Sequence, residues 1–291
     1  MTMTISSSGA WRRFRANRTA ILGGVVLGAI ALSIFLLPVF YSVPIDAIDF
    51  ARGSLPPSFS HPFGTDDLGQ DQLARVLFGG KISLSVGLAA MLVAIFLGTT
   101  VGAIAGFYGG WIDQLLMRLT DLFLSLPQLP VLLLVVYLFR EKLRAIAGAE
   151  WGTFILVVVV IGSLNWMSVA RLVRAKCLSI KELEFVAAAR AIGANPFRIL
   201  QMHILPNLMS LIIVAATLSV GNAIITESTL SFLGLGFPPD VPTWGRMLYD
   251  AQNFLTSAPH MALFPGLAIF LTVLSLNYLG DGLRDAFDPK S

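Results

Sequence analysis

Apolar residues come in long blocks along this chain, separated by shorter polar stretches. A helix needs about 20 mostly apolar residues to cross a ~30 Å hydrocarbon core. Six stretches meet that length: residues 20–41, 82–107, 120–139, 151–171, 205–227 and 260–280. No Asp, Glu, Lys or Arg falls between Lys81 and Asp113, or between Arg198 and Glu227. Pro127 and Pro130 interrupt the third stretch, a feature that membrane helices tolerate when neighbouring helices satisfy the freed carbonyls. The pattern predicts an all-α, polytopic membrane protein of six transmembrane helices. It forms one domain over residues 1–291, with 20–41 as an N-terminal anchor and spans 82–280 as the core. Residues 42–81, rich in Pro, Asp and Ser, read as a loop with short helices.

Composition agrees with the pattern. Only 13% of residues are charged and 56% are hydrophobic, with a mean hydropathy of +0.78. Soluble domains carry roughly 25% charged residues, so much of this surface faces something other than water. The net charge of +3 comes without a basic, aromatic-interleaved stripe, which argues against nucleic acid as a partner. The basic residues instead report orientation. With the N-terminus inside, segments 1–19, 108–121, 171–198 and 281–291 hold 13 of the 20 Lys and Arg, and the outside segments hold 7. The positive-inside rule then puts both termini in the cytoplasm. Arg140, Lys142 and Arg144 run against that trend. The arginines at 12, 13, 15 and 18 ahead of an apolar run also fit a secretory signal. That run is long for one, however, and Pro38, Val39, Phe40 and Tyr41 follow it in place of a small-residue cleavage site. An uncleaved first helix is expected.

Several kinds of chemistry are unsupported. Cys177 is the single cysteine, and His61, His203 and His260 lie far apart, so neither an internal disulfide nor a metal site is expected. The deep parts of the spans lack Asp, Glu, Lys and Arg, with Asp121 and Glu227 at span edges. That counts against an ion-coupled secondary transporter, the main physical alternative. An intramembrane enzyme would need a nucleophile–base set or a metal cluster, and the spans offer neither. No GxxxxGK[ST] phosphate loop occurs, so no cofactor is expected in this chain. Gly98, Gly102 and Gly106, at four-residue spacing, predict close helix packing.

The segment 171–206 is more than a basic loop. Ser179 and Glu182 fit a capping box. Phe185, Ala188, Ala189 and Ile192 follow at i, i+3, i+4 and i+7, predicting one apolar stripe on a short helix. Gly193 suits the left-handed residue after that helix. Asn195 with Pro196 reads as the N-cap and first residue of a second helix. Small side chains (Ala187, Ala188, Ala189) beside a glycine turn suit a docked partner, and an amphipathic helix lying on the bilayer suits the same spacing.

FVAAARAIGA followed by HILPN resembles the EAA loop of bacterial ABC-importer permeases. Ala188, Ala189, Gly193, Ile204, Leu205 and Pro206 match that pattern, and Ala187 stands where the family has Glu. HPFGTDDLGQDQLARVLFGGKISLSVG (61–87) resembles the segment before the second span in the dipeptide/oligopeptide/nickel branch, which usually has Arg at the position of Gln70. ESTLSFLGLGFPPDVPTWGRML (227–248) is similar to the outer segment after that branch's fifth span. Three motifs in order make the chain most similar to the second, shorter permease of the pair in such importers.

The resemblance implies a multi-pass protein of the bacterial plasma (inner) membrane, embedded in lipid. Its partners would be a second permease in a heterodimer, two ATPase subunits that bind ATP and Mg, and an extracytoplasmic substrate-binding protein. Glu184, Phe185, Ala188, Ala189, Arg190, Gly193, Ala194, Asn195 and Pro206 would form the ATPase-coupling loop. Gln128 and Pro130 in the third span, with Ser219 and Asn222 in the fifth, would line the translocation path. Phe232, Leu233, Gly234 and Trp244 would receive the binding protein, gate the path, or simply pack over the outer mouth. Peptides are the first expectation for cargo, and nickel or another small solute the alternative.

Overall fold

The computed structural model describes residues 7–287, and every long element in that range is a helix. In chain order these are α1 (Ser7–Ala16), α2 (Arg18–Phe40), α3 (Gln72–Tyr108), α4 (Gly110–Ser125), α5 (Gln128–Ala147), α6 (Ala149–Lys181), α7 (Glu184–Ala191), α8 (Pro196–Ile199), α9 (Leu205–Phe232), α10 (Trp244–Ala251) and α11 (His260–Phe287). A single π-turn, Leu200–Ile204, joins α8 to α9. Parts of the expected tails, including Lys290, lie outside the described residues.

Caps explain where helices begin. Asn17 accepts a hydrogen bond from the Ala20 amide ahead of α2, and Asp71 accepts from the Ala74 amide ahead of α3 at 2.8 Å. Each satisfies an amide that the first helical turn leaves unpaired. α3 begins ten residues before the expected span. Its added turns bury Leu73, Ala74, Val76 and Leu77, so residues 72–81 belong to the protein interior and not to the loop.

Five helices, α2, α3, α6, α9 and α11, are long and apolar enough to cross a membrane. The third expected span, 120–139, is not one straight helix. α4 and α5 meet at an 86° bend, with Leu126 and Pro127 outside either helix. Pro127 removes an amide donor and disfavours the helical conformation at Leu126, so it ends α4 where the sequence reading had it merely interrupt a span. The sixth crossing exists only if this bent pair serves as one.

The centre of the molecule is α3. It runs parallel to α6 through the glycine stripe. A Cβ on Gly98 would lie 2.6 Å from the Cβ of Val169, and one on Gly106 would lie 2.8 Å from the Cβ of Cys177. The spacing that predicted close packing therefore operates against α6. On another face α3 meets α9 antiparallel, with Gly87 against Val220 and Ile224. α11 lies against α9, and α2 closes over α11 through Gly23, which sits against Ser275 and Tyr278. Two polar ends result. The loop 42–71, residues 233–259 and α10 cover one. α7 and α8 lie at the other, beside the end of α6.

Candidate functional site

The α7–α8 end shows its local logic clearly. α6 continues to Lys181, because Cys177 and Ile180 are buried in a cluster that also holds Val186, Ala189, Ile199 and Leu208. Ser179 therefore lies inside α6 and donates to the carbonyl of Ala175. The expected Ser179–Glu182 capping box does not form, and Leu183 caps α7 without a side-chain bond. The expected apolar stripe also divides. Ala189 faces the interior together with Val186, whereas Phe185, Ala188 and Ile192 face outward. Ile192 is 84% exposed and Phe197, in α8, is 59% exposed. Of the three small residues, Ala187 and Ala188 are outward and Ala189 is inward.

The turn follows the sequence closely. Gly193 has φ +79°. The Ala194 amide donates to the Ala189 carbonyl at 3.1 Å, and the Gly193 amide to the Arg190 carbonyl at 3.0 Å. This is the paired bonding that closes a helix on a left-handed residue. Asn195 accepts from the Phe197 amide at 3.0 Å with Pro196 next. Glu184 and Arg190 are exposed, and Pro206 is exposed in the first turn of α9. The unit packs inward through α7 and continues through the π-turn into α9.

Two ion pairs brace the same end. Arg174 of α6 holds Asp113 of α4 in a fork whose second arm measures 2.6 Å. Arg171 holds Asp121.

Gln128 and Pro130 are exposed on α5 just past the bend, and Gln128 Nε2 reaches Asn165 Oδ1 of α6 at 3.4 Å. Asn222 is exposed and Ser219 half-buried, its hydroxyl donating to the Ala215 carbonyl of its own helix. All four are thus accessible or partly so. Among the described residues, no hydrogen bond joins the α5 pair to the α9 pair.

A cleft of about 670 Å³ lies away from these residues, between the 42–71 loop and α10. Asp66, Asp67, Arg75, Asp240, Arg246 and Asp250 are among its lining residues. Asp66 pairs with Arg75 at 3.5 Å, and Asp250 with Arg246 at 2.8 Å. Burial pushes the carboxyls of Asp66 and Asp250 above the ordinary aspartate range, against the pull of Arg75 and Arg246 respectively. Gln70, at the position where the family usually has Arg, accepts a hydrogen bond from Arg75. Behind the cleft, Tyr41 and His61 both bond Asp71 Oδ2 at 2.8 Å. Burial and that bond raise the Tyr41 phenol.

In the segment after α9, Phe232 and Leu233 are exposed and Gly234 has φ +81°. Trp244 is different. It is buried to 1% exposure, and its indole donates to the Val76 carbonyl at 2.9 Å. Trp244 is a packed anchor of α10 and not an available contact. Sequence reading also put Glu227 at a span edge, yet it lies inside α9 and is fully buried. Its neighbour Ser83 is 144 residues away in sequence. The only local signal was a carboxylate closing an otherwise uncharged run.

Comparison with known proteins gives a consistent picture. Residues 98–291 match the family described as the binding-protein-dependent transport system inner membrane component, and residues 7–57 match the N-terminal TM domain of oligopeptide transport permease C. The chain is 43% identical to the glutathione transport system permease protein GsiD of Pectobacterium atrosepticum, over 96% of this chain and 90% of that protein. It is 40% identical to the dipeptide transport system permease protein DppC of Alkalihalophilus pseudofirmus, over 97% and 89%. Among solved structures it shares the fold of a chain from inward-facing conformations of the MetNI methionine ABC transporter. There the TM-score is 0.50 at 19% identity, covering 70% of this chain and 94% of that one.

Proposed function

The chain belongs to the binding-protein-dependent transport system inner membrane components, the permease subunits of ABC importers, and from that premise we propose that it forms half of a translocation path for short peptides. The dipeptide and glutathione systems named for its relatives support peptide-like cargo over nickel. The other half would be a second permease. An extracytoplasmic binding protein would deliver the solute, and two ATPase subunits would bind ATP and Mg. The permease itself would hydrolyse nothing. Both termini would be cytoplasmic, with α7 and α8 on that side.

The observation that carries this reading is the division of α7. Its inner face, Val186 and Ala189, is locked into the chain's own core, while Phe185, Ile192 and Phe197 stand outward at one polar end. An outward apolar face on a braced helix suits a groove on a partner. The π-turn then joins that helix to α9, so a partner's movement reaches the span as rigid-body rocking. The bend at Leu126 and Pro127 leaves Gln128 and Pro130 accessible, as a path lining requires, with Ser219 and Asn222 contributing from α9. Phe232, Leu233 and Gly234 would meet the binding protein.

The test is crosslinking in the assembled importer. A cysteine at Ile192 should crosslink to an ATPase subunit and not to lipid probes, and import of a dipeptide should require ATP. Labelling of Ile192→Cys by lipid reagents, with no ATPase adduct, would instead favour the membrane-surface reading.

A further inference from the structure

We propose that Glu227 is a positioning residue for transport: its carboxyl pins the loop-side ends of α3, α9 and α10 into one body, so that movement given to α9 is passed to the outer cleft. The inference rests on reading the α7–α8 end as the ATPase contact.

The geometry is specific. Glu227 is 0% exposed. Ser231 Oγ donates to its Oε1 at 2.7 Å, and Ser83 Oγ of α3 approaches its Oε2 at 3.5 Å. Ser83 also accepts from the backbone amide of Trp244 at 3.3 Å, and Thr243 accepts from the Arg246 amide as the N-cap of α10. The carboxyl is therefore one hydrogen bond from α3 and, through Ser83, two from the first amide of α10. Arg246 and Asp250 of α10 form one wall of the cleft.

Backbone contacts close the same junction. A Cβ on Gly245 would lie 2.5 Å from Ser228 Cα, and one on Gly79 would overlap the Pro242 carbonyl. A leucine of similar size would fill the space without needing polar partners. A buried carboxyl is costly unless its hydrogen bonds are made, so its presence adds direction where packing alone would do. α9 spans about 42 Å at 1.5 Å per residue. One end continues into the α7–α8 unit and the other carries this pin.

The experiment uses the complete importer, this permease with its partner subunits, reconstituted in liposomes. Glu227→Leu should assemble and support ATP hydrolysis, while dipeptide import per ATP falls by about tenfold, within the range one coupling contact commands. Glu227→Gln, which can still bond the hydroxyls, should restore import. Spin labels at Ile48 and Asp240, across the cleft, should report an ATP-dependent distance change in the unmodified and Gln complexes but not in the Leu complex. Import by Glu227→Leu at the unmodified ratio would overturn the pin, as would equal loss in Leu and Gln. Where the Leu variant does not assemble, Ser83→Ala carries the test with the same opposed outcomes. The crosslink from Ile192→Cys to the ATPase, measured in parallel, separates the two ideas. Its absence removes the coupling reading, and its presence with normal import in the Leu complex removes only the pin.

Discussion

Gly102 on α3 faces the backbone carbonyl of Ala170 on α6 so closely that a methyl group at position 102 would overlap it. Backbone cannot rotate away as a side chain can, so the two helices must separate to admit any larger residue. Gly102→Ala should destabilise the detergent-solubilised protein by about 1–3 kcal/mol, the usual cost of overpacking. Gly28→Ala on α2, where a Cβ meets nothing within 4 Å, should leave thermal unfolding unchanged. Equal midpoints for the two variants would show that the stripe is not a close contact.

At Gly193 the expectation is different, because space is available and conformation is not. A Cβ there meets nothing within 4 Å, yet φ is +79°. Gly193→Val should be strained by about 1–2 kcal/mol without disturbing the core. Membrane insertion and assembly should be normal, while import is lost and ATP hydrolysis persists or falls. Gly193→Asn should retain more import, since Asn visits this region more readily than β-branched residues do. Full import by the Val variant would remove the turn from the mechanism.

These two glycines mark what was legible in the sequence. The turn at Gly193, Asn195 and Pro196 is local chemistry, and so is the apolar length of each span. The capping box was also a local inference, and it failed because buried Cys177 and Ile180 carry α6 past Ser179 into the core. Pro127 was read as an interruption; whether a proline bends or ends a helix depends on packing that no single segment records. The Glu227 junction was unreadable for a simpler reason. Its partners arrive from α3 and from the residues before α10, and nothing in one stretch of chain announces the others.

The fork between Arg174 and Asp113 joins α4 to α6, with side chains 33% and 15% exposed. Asp113→Asn should cost about 1 kcal/mol, near the upper end for exposed pairs. Asp113→Arg should cost more, and Arg174→Asp added to it should recover part of the loss. Additive effects in that double-variant cycle would mean the pair contributes nothing.

Topology can be read chemically. A cysteine at Ser58, exposed on the 42–71 loop, should react with an impermeant thiol reagent added outside intact cells. One at Glu182, exposed beside α7, should react only after permeabilisation. The reverse pattern would invert the orientation.

The raised carboxyls of Asp66 and Asp250 give the cleft a pH signature. In the folded protein both bind protons more tightly than ordinary aspartates. Their contribution to stability is therefore fully present below the ordinary value, about 3.9. It is lost as pH rises through their higher folded values and is flat beyond. Hydrogen exchange in residues 42–71 should quicken across that window more than its intrinsic rate does. Asp250→Asn should flatten the dependence, and an unchanged profile would mean that burial does not govern this site.

The π-turn at 200–204 has a consequence for the register between two parts of the chain. The Leu205 amide bonds back to the Leu200 carbonyl five residues away, one residue more than an α-helical turn uses. Removing a single residue there would restore the α-helical ladder only by turning the α7–α8 unit about 100° relative to α9, which the buried contacts of Val186 and Ala189 oppose. The apolar face of α9 would keep its place against α3 and α11. The one extra residue thus sets the register in which the α7–α8 unit meets the core while the apolar face of α9 stays on α3 and α11.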